Sequence, residues 1–538
     1  MGTFMKSTVV DRIFRTPISP LWIASGFGIV LLAACAGPSS ANETNEEWPV
    51  FNGSYAANRF STLKQINKDN VRSLTVVGRY QLPEVNNFQA GPIVVGDTMF
   101  LTTVTNTYAI DARNGALHWA SPYAATRLGI GTPVRGLAFA NGRVYRGTTD
   151  AHLIALDAQT GKVVWDVSVF DTNKGEYFTA APIIWKDRLF IGNSGSDIGA
   201  IGHVMAFDIN DGHRIWTFDN VPASGPGASS WPSDPDKLRA GGGMYSSFAL
   251  DTETGILYTP TGNPGPDFNG DYRPGDNLYT CSVLMLDAET GALRGYHQFV
   301  PHDVHDWDIA ASPVLFTSKN GRKMVGVGGK NGYLYALDRN LKSVIYQVPV
   351  CTISNIDAAI TTEGTHFMPG TQGGVNWNGP AYSPLENTLY VPARDAGCLL
   401  KLGGPETLQN HKIGDVFIGS ANVFGEDDAD QVGLITAVDA DTGNVRWKYR
   451  SNKPLVAALT PTAGGLLLTA DLEGNLLAFD AANGKVILKK NLVDPIGGGV
   501  ITYSIAGRQY VAVAVGMKNY LMKTQSGPAS IAILALPQ

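Results

Sequence analysis

From about residue 90 onward the hydrophobic and polar positions repeat one pattern. An apolar-x-apolar-Asp segment is followed by a turn ending in Gly, and then by a run that often closes on Trp. It reads Tyr108-Ala109-Ile110-Asp111 to Gly115 and Trp119, then Ile154-Ala155-Leu156-Asp157 to Gly161 and Trp165. It returns at Asp208/Gly212/Trp216, Asp287/Gly291, Asp439/Gly443/Trp447 and Asp480/Gly484, and without the Gly at Asp338. Alternation at period two makes strands, and Asp-x-x-x-Gly makes the turn between them, so each unit is a hairpin. One hairpin cannot bury its own apolar face, so neighbouring units must stack, and a closed ring leaves no long edge exposed. Helical periodicity is weak throughout. The pattern predicts an all-β chain: an eight-bladed β-propeller of four-stranded antiparallel blades. Seven copies supply seven blades, and a degenerate unit around Ala381-Tyr382-Ser383 to Tyr390-Val391 is expected to supply the eighth. The segment Trp48–Leu82 is expected to add a strand to the last blade and close the ring. An inserted loop is expected at about residues 217–240.

Composition narrows the class. The chain has 538 residues, of which 44% are hydrophobic and 16% charged, which excludes a disordered, charge-rich protein. Gly at 61 residues fits many tight turns, and a net charge of −6 gives no electrostatic case for nucleic acid. Residues 1–20 carry Lys6, Arg12 and Arg15 against Asp11, and an apolar run from Leu21 to Ala34 follows. This is the pattern of an export signal, shorter than a membrane span needs. It ends Leu32-Ala33-Ala34-Cys35, which resembles the bacterial lipobox, in which the Cys becomes the lipidated first residue. The alternative is an ordinary signal cut nearby. The expected layout is a signal peptide at 1–34, a linker at 35–47 and the propeller at 48–538. The remaining cysteines are Cys281, Cys351 and Cys398. No CxxC or CxxCH occurs, so neither a zinc ribbon nor a c-type haem is expected. Cys351 and Cys398 are the candidate disulfide; three free buried thiols are the equal alternative.

The most polar stretch is Pro301-His302-Asp303-Val304-His305-Asp306-Trp307-Asp308-Ile309. It is too rich in acids and histidines for an ordinary strand. A zinc site at His302 and His305 lacks any supporting CxxC or HExxH. The repeats, together with the opening Trp48-Pro49-Val50-Phe51-Asn52-Gly53 through Asn67 to Val71, resemble the quinoprotein alcohol dehydrogenases. That family is an eight-bladed propeller with pyrroloquinoline quinone (PQQ) and a divalent or trivalent metal on its axis, and the resemblance spans residues 48–516.

The resemblance implies roles residue by residue. Asp306 falls on the catalytic base, and Lys330, in Val327-Gly328-Gly329-Lys330-Asn331, on the cation beside the reactive quinone oxygen. Asp197, Asn263, Asp306 and Asp308 fall on metal positions, with Asp197 one methylene shorter than the usual Glu. Oxygen donors suit a hard cation, so Ca²⁺ is expected, with a lanthanide the alternative favoured by the extra Asp308. Gln89, Arg135, Thr179, Ser194, Tyr245, Lys330, Asn376 and Trp377 fall on PQQ contacts, Tyr245 as a flat face beneath the ring. Taken alone, Asn263 is equally a turn residue, Asp197 a surface acid, and Arg135 and Thr179 ordinary strand residues. Two departures stand out. The family's vicinal cysteine pair is absent from Gly129-Ile130-Gly131-Thr132-Pro133, and its Trp is absent near Lys453–Ala458; both are expected to open the pocket. The implied activity is oxidation of a small-molecule alcohol by metal-assisted hydride transfer to PQQ, in the periplasm, at a membrane through a lipid anchor on Cys35. With no haem motif, electrons must pass to a separate acceptor, a c-type cytochrome or a quinone. Two rival readings are a non-catalytic propeller scaffold of the outer-membrane barrel-assembly type and a PQQ-dependent sugar dehydrogenase.

Overall fold

A computed structural model describes residues 46–126, 133–309, 311–409 and 411–538. The signal segment, Cys35 and nearly all of the stretch expected to hold the vicinal cysteines lie outside the described residues. Among the described residues, eight four-stranded antiparallel sheets hold most of the strands. Blades one to seven begin at Ile93–Val95, Ala138–Ala140, Ile183–Trp185, Ala249–Asp251, Val314–Thr317, Ala381–Ser383 and Thr460–Pro461. In blade eight, Val500–Ile505, Arg508–Val515 and Ser530–Ala535 are joined by Thr75–Gln81, which pairs with Ser530–Ala535 from the other end of the chain.

Ring closure is visible in the core. Eight apolar clusters each lie between two successive blades, including one that joins Ile501, Tyr503 and Ala512 of blade eight to Met99, Leu101 and Ile110 of blade one. This explains the hydropathy of the strands. A third strand such as His152–Asp157 is covered on both faces and reads as a continuous apolar run, whereas the outer strand Val163–Ser168 alternates. The Trp and Gly of the repeat meet across blades. Trp119 packs where a Cβ on Gly161 would sit and donates to the Ala158 carbonyl at 3.0 Å; Trp447 does the same at Gly484 and Ala481, at 3.1 Å. Both glycines have positive φ, 70° and 74°. Tyr346 takes the Trp role in blade five, reaching Ala440 of blade six at 3.1 Å. In five blades a small Ala two residues before the Asp lies opposite the aromatic, as Ala155 does to Trp165, beside a β-bulge.

The count of eight is as expected, but one assignment is corrected. The degenerate unit at 381–391 is not a separate blade. Ala381–Ser383 and Thr388–Asp395 are the inner strands of blade six, whose third strand, Val432–Asp439, carries the Asp439 repeat. The wide gap instead holds an inserted three-stranded sheet, Thr365–Phe367, Cys398–Leu400 and Glu426–Asp427. The eighth blade is the one that the two chain ends build. The inserted loop after blade three extends to a small sheet pairing Ala240–Gly241 with Pro264–Gly265. Cys281, Cys351 and Cys398 are free and buried, so the candidate disulfide does not form. Burial pushes the Cys351 and Cys398 thiols up to about 12. Among the described residues no helix is long and apolar enough to cross a membrane.

Candidate active site

In each blade the chain enters the innermost strand at one end of the ring, and the turn between the second and third strands returns to that same end. Gln89, Arg135, Thr179, Tyr245 and Trp377 each stand three or four residues ahead of an innermost strand. Asp197 and Asn263 lie in second-to-third-strand turns of blades three and four, and Lys330 in that of blade five. Asp306 and Asp308 lie in the connection from blade four to blade five. A cavity of about 510 Å³ opens at this end, and all twelve expected axial residues line it.

Lys330 is the hub. Its Nζ lies 2.9 Å from Asp306 Oδ1 and 2.7 Å from Asp308 Oδ2, with all three side chains buried. Asp308 is held further by the Tyr245 hydroxyl, which donates to Oδ2 at 2.9 Å, and by the Asn263 backbone N–H, which donates to Oδ1 at 2.7 Å. Burial draws the Lys330 pKa down, but Asp306 and Asp308 outweigh it and hold the ammonium well above its usual range. Burial pushes Asp306 well up, against the pull of Lys330. Asp306 adopts φ 62°, the left-handed region that a non-glycine residue rarely takes. Asp303 braces it by accepting the backbone N–H groups of His305 and Trp307 at 3.2 and 3.0 Å. Gly373 comes so close to Lys330 that a Cβ there would lie 2.3 Å from Lys330 Cγ.

Adjoining this cluster through Tyr245 is a cationic and aromatic wall. The Arg135 guanidinium sits 4.9 Å from the Tyr245 ring centre and 5.6 Å from that of Trp377. It donates to the Tyr245 carbonyl at 2.7 Å and to Thr179 Oγ1 at 3.2 Å, and Thr179 meets Ser194 Oγ at 2.7 Å. Arg135 Nε and Gln89 Oε1 are buried without a partner. Asn376 is fixed by its own amide, which donates to the Gln372 carbonyl at 3.0 Å. Trp377 is pinned by its indole N–H to the Gly497 carbonyl at 2.8 Å.

The structure corrects one expectation and extends another. The missing Trp near 453–458 does not leave that side open: Val456, Leu472, Met517 and Met522 pack with Trp377 and Tyr245. Tyr245 is more than a flat face, because its hydroxyl anchors Asp308. His302 and His305 have separate surroundings. His302 Nδ1 meets the Gly275 carbonyl at 2.8 Å, while His305 stacks on Trp307 with ring centres 4.1 Å apart, and burial draws its pKa to about 4. Sequence reasoning also missed residues. Tyr177, Gln372, Val423, Phe424 and the segment Lys518–Met522 line the cavity. Asp267 is wholly buried beside the acids, and neither carboxylate oxygen makes a hydrogen bond of normal geometry. Its signal was an acid placed between Pro266 and Phe268, where a turn needs no charge.

The donor chemistry suits a cation and an anionic planar cofactor. Asp267, Asp306 and Asp308 are three buried acids with Lys330 among them, beside the half-buried Asp197, which desolvation, then Asp308, raises to about 6. Beside them are unpaired polar atoms on Gln89 and Arg135 and two flat aromatic faces.

Residues 48–357 match the family model described as glucose/ethanol/alcohol dehydrogenase, beta-propeller domain, of the PQQ type. The chain belongs to the PQQ-dependent alcohol dehydrogenase family. A PQQ-type segment described as outer membrane protein assembly factor BamB matches residues 431–519 only, in keeping with a shared blade repeat. The quinoprotein alcohol dehydrogenase PedH of Pseudomonas putida is 29% identical, covering 93% of each chain. The lanthanide-dependent methanol dehydrogenase of Methylacidiphilum fumariolicum is 30% identical over 88% of this chain and 85% of its own. The solved structure of a europium-containing methanol dehydrogenase superposes with a TM-score of 0.81 at 27% identity, covering 91% of this chain and 98% of that one. As a member of the PQQ-dependent family, the chain is an oxidoreductase.

Proposed function

We propose that this chain is an exported PQQ-dependent dehydrogenase that oxidises a small alcohol, with Asp306 as the base. The observation that carries the reading is the buried Asp306–Lys330 pair at 2.9 Å inside a cavity whose other walls carry Arg135, Tyr245 and Trp377. Arg135, Thr179, Ser194, Gln89 and Asn376 would hold PQQ by its polar rim, with Tyr245 and Trp377 against its faces. Asp197, Asn263, Asp306 and Asp308 would hold the ion, Ca²⁺ or a lanthanide. When bound, PQQ with its ion supplies the acceptor for the hydride of the carbinol carbon. The protein's own part is positional and electrostatic. Lys330 occupies Asp306 Oδ1, which leaves Oδ2 without a bond to any described residue and able to receive the alcohol proton. The Lys330 ammonium provides fixed positive charge where negative charge develops. The relatives described above carry alcohol and methanol in their names, which favours an alcohol over a sugar. With no CxxCH motif in the sequence, the electrons leave to a separate c-type cytochrome or quinone.

Adding PQQ with Ca²⁺, and separately with La³⁺, to the metal-free protein should produce dye reduction that depends on alcohol and is abolished by a strong chelator. Turnover with glucose but no alcohol would move the assignment to the sugar enzymes. No PQQ uptake at all would defeat it.

Export and anchoring rest on the Leu32-Ala33-Ala34-Cys35 motif, with residues 1–34 removed and a periplasmic propeller tethered through Cys35. Mass spectrometry of the mature N-terminus should find a lipid-modified Cys35; cleavage elsewhere without lipid ends this part of the proposal.

A further inference from the structure

We infer that Asp267 is an additional carboxylate ligand of the ion in this cavity, compensating for the short reach of Asp197. The inference rests on the metal reading given above. Asp267 is fully buried, and neither carboxylate oxygen makes a hydrogen bond of normal geometry, although the Asn263 amide lies close to it. The cation placed to pair with it is used elsewhere. Arg273 Nε donates to the Pro266 carbonyl at 3.0 Å and Nη1 to Asn277 Oδ1 at 2.8 Å. Arg273 Nη2 donates to the Asp267 backbone carbonyl at 2.9 Å and also to the Asp303 carbonyl. Arg273 therefore fixes the loop and leaves the Asp267 carboxylate unpaired. A buried unpaired carboxylate is costly and persists only where a proton or a cation answers it.

Backbone bonds tie the turn of Asp267 to that of Asp197, with Asp267 itself behind the residues that line the cavity. Asp197 lies in the 3-10 turn Ser196–Ile198, and Asp267 follows the short strand Pro264–Gly265. Adjacent residues of one segment tie both: the Phe417 N–H donates to the Asp197 carbonyl at 2.7 Å, and the Phe268 N–H donates to the Ile418 carbonyl at 2.9 Å. Gly243 N–H reaches Ser196 Oγ at 2.8 Å, while Gly242 N–H reaches the Asn263 carbonyl at 2.8 Å, so one glycine segment links the two turns. After burial itself, the carboxylates of Asp197, Asp306 and Asp308 are what push the Asp267 pKa well up, with the Asn263 amide offsetting part of it. Those are the acids proposed to hold the ion. One more carboxylate there adds Coulomb attraction in proportion to ionic charge, so Asp267 should favour a trivalent ion over Ca²⁺.

The test is titration of the purified full chain with PQQ present, using Tb³⁺ luminescence and calorimetry with La³⁺ and Ca²⁺, on wild type, Asp267→Asn and Asp267→Ser. Loss of an outer partner of a metal site already costs about 10–100-fold in affinity. Both variants should therefore bind La³⁺ at least about 10-fold more weakly, with a smaller loss for Ca²⁺. Their metal-free melting temperature should equal or exceed that of wild type, because an unpaired buried charge is gone. Unchanged La³⁺ affinity in either folded variant, or a metal-free melting temperature well below wild type, overturns the role of Asp267. Wild type that takes up no ion overturns the metal reading of the cavity, and this inference with it.

Discussion

Replacing Asp306 with Asn should lower kcat by about 10²–10⁴-fold while PQQ uptake and fold are retained. The side chain keeps its size, and the amide oxygen can still accept from Lys330 Nζ, now 2.9 Å from Oδ1. The backbone should also stay in place. Asp306 sits at φ 62°, and Asn tolerates that left-handed conformation as well as Asp does. What is lost is the basic oxygen. The amide nitrogen that replaces Oδ2 cannot take the alcohol proton, so the change strikes the chemical step rather than substrate entry, and KM should move far less than kcat. Steady-state dye reduction on variant protein titrated to saturation with PQQ and ion measures this directly. Wild-type turnover by a PQQ-loaded variant would remove Asp306 from the base position.

The sequence was most informative where geometry repeats. Asp157, Gly161 and Trp165 recur at fixed offsets because seven blades make the same hairpin and four of them dock an indole on the next blade's glycine. The axial residues were readable for a related reason. Gln89, Arg135, Thr179, Tyr245 and Trp377 stand three or four residues ahead of the innermost strands of blades one to four and six, so a nearly common register places them at one end of the ring. What the sequence hid was set by tertiary pairing. Blade eight contains no Asp-x-x-x-Gly copy, since its outer strand Thr75–Gln81 arrives from the far end of the chain instead of through a hairpin. The degenerate unit at 381–391 passed for a blade because an insertion separates the inner and outer halves of blade six. Asp267 and the Lys518–Met522 rim were hidden because they belong to insertions outside the repeat. The Tyr245–Asp308 bond depends on a hydroxyl reaching across blades, which no local pattern encodes.

Lys330→Met should destabilise the metal-free protein by about 3–5 kcal/mol, the usual cost of removing one partner from a buried ion pair. Met preserves much of the stem volume that packs against Gly373, so the loss is chiefly electrostatic. Asp306 then has no donor, and Asp308 retains only the Tyr245 hydroxyl and the Asn263 N–H. A buried carboxylate without its ammonium favours the protonated form, so the folded variant binds more protons than the unfolded chain. By linkage its stability must fall as pH rises above the ordinary carboxylate range, more steeply than that of wild type. An ion bound only by the folded state adds stability that grows with its concentration above Kd. La³⁺ should therefore restore part of the melting temperature of the variant while leaving its turnover depressed, because the ammonium that faces developing charge is still absent. Thermal melts across pH with and without La³⁺, paired with dye-reduction rates, separate these effects. A variant as stable as wild type at every pH would mean that Lys330 does not neutralise Asp306 and Asp308, and the electrostatic account of the cavity would have to be rebuilt around Arg135.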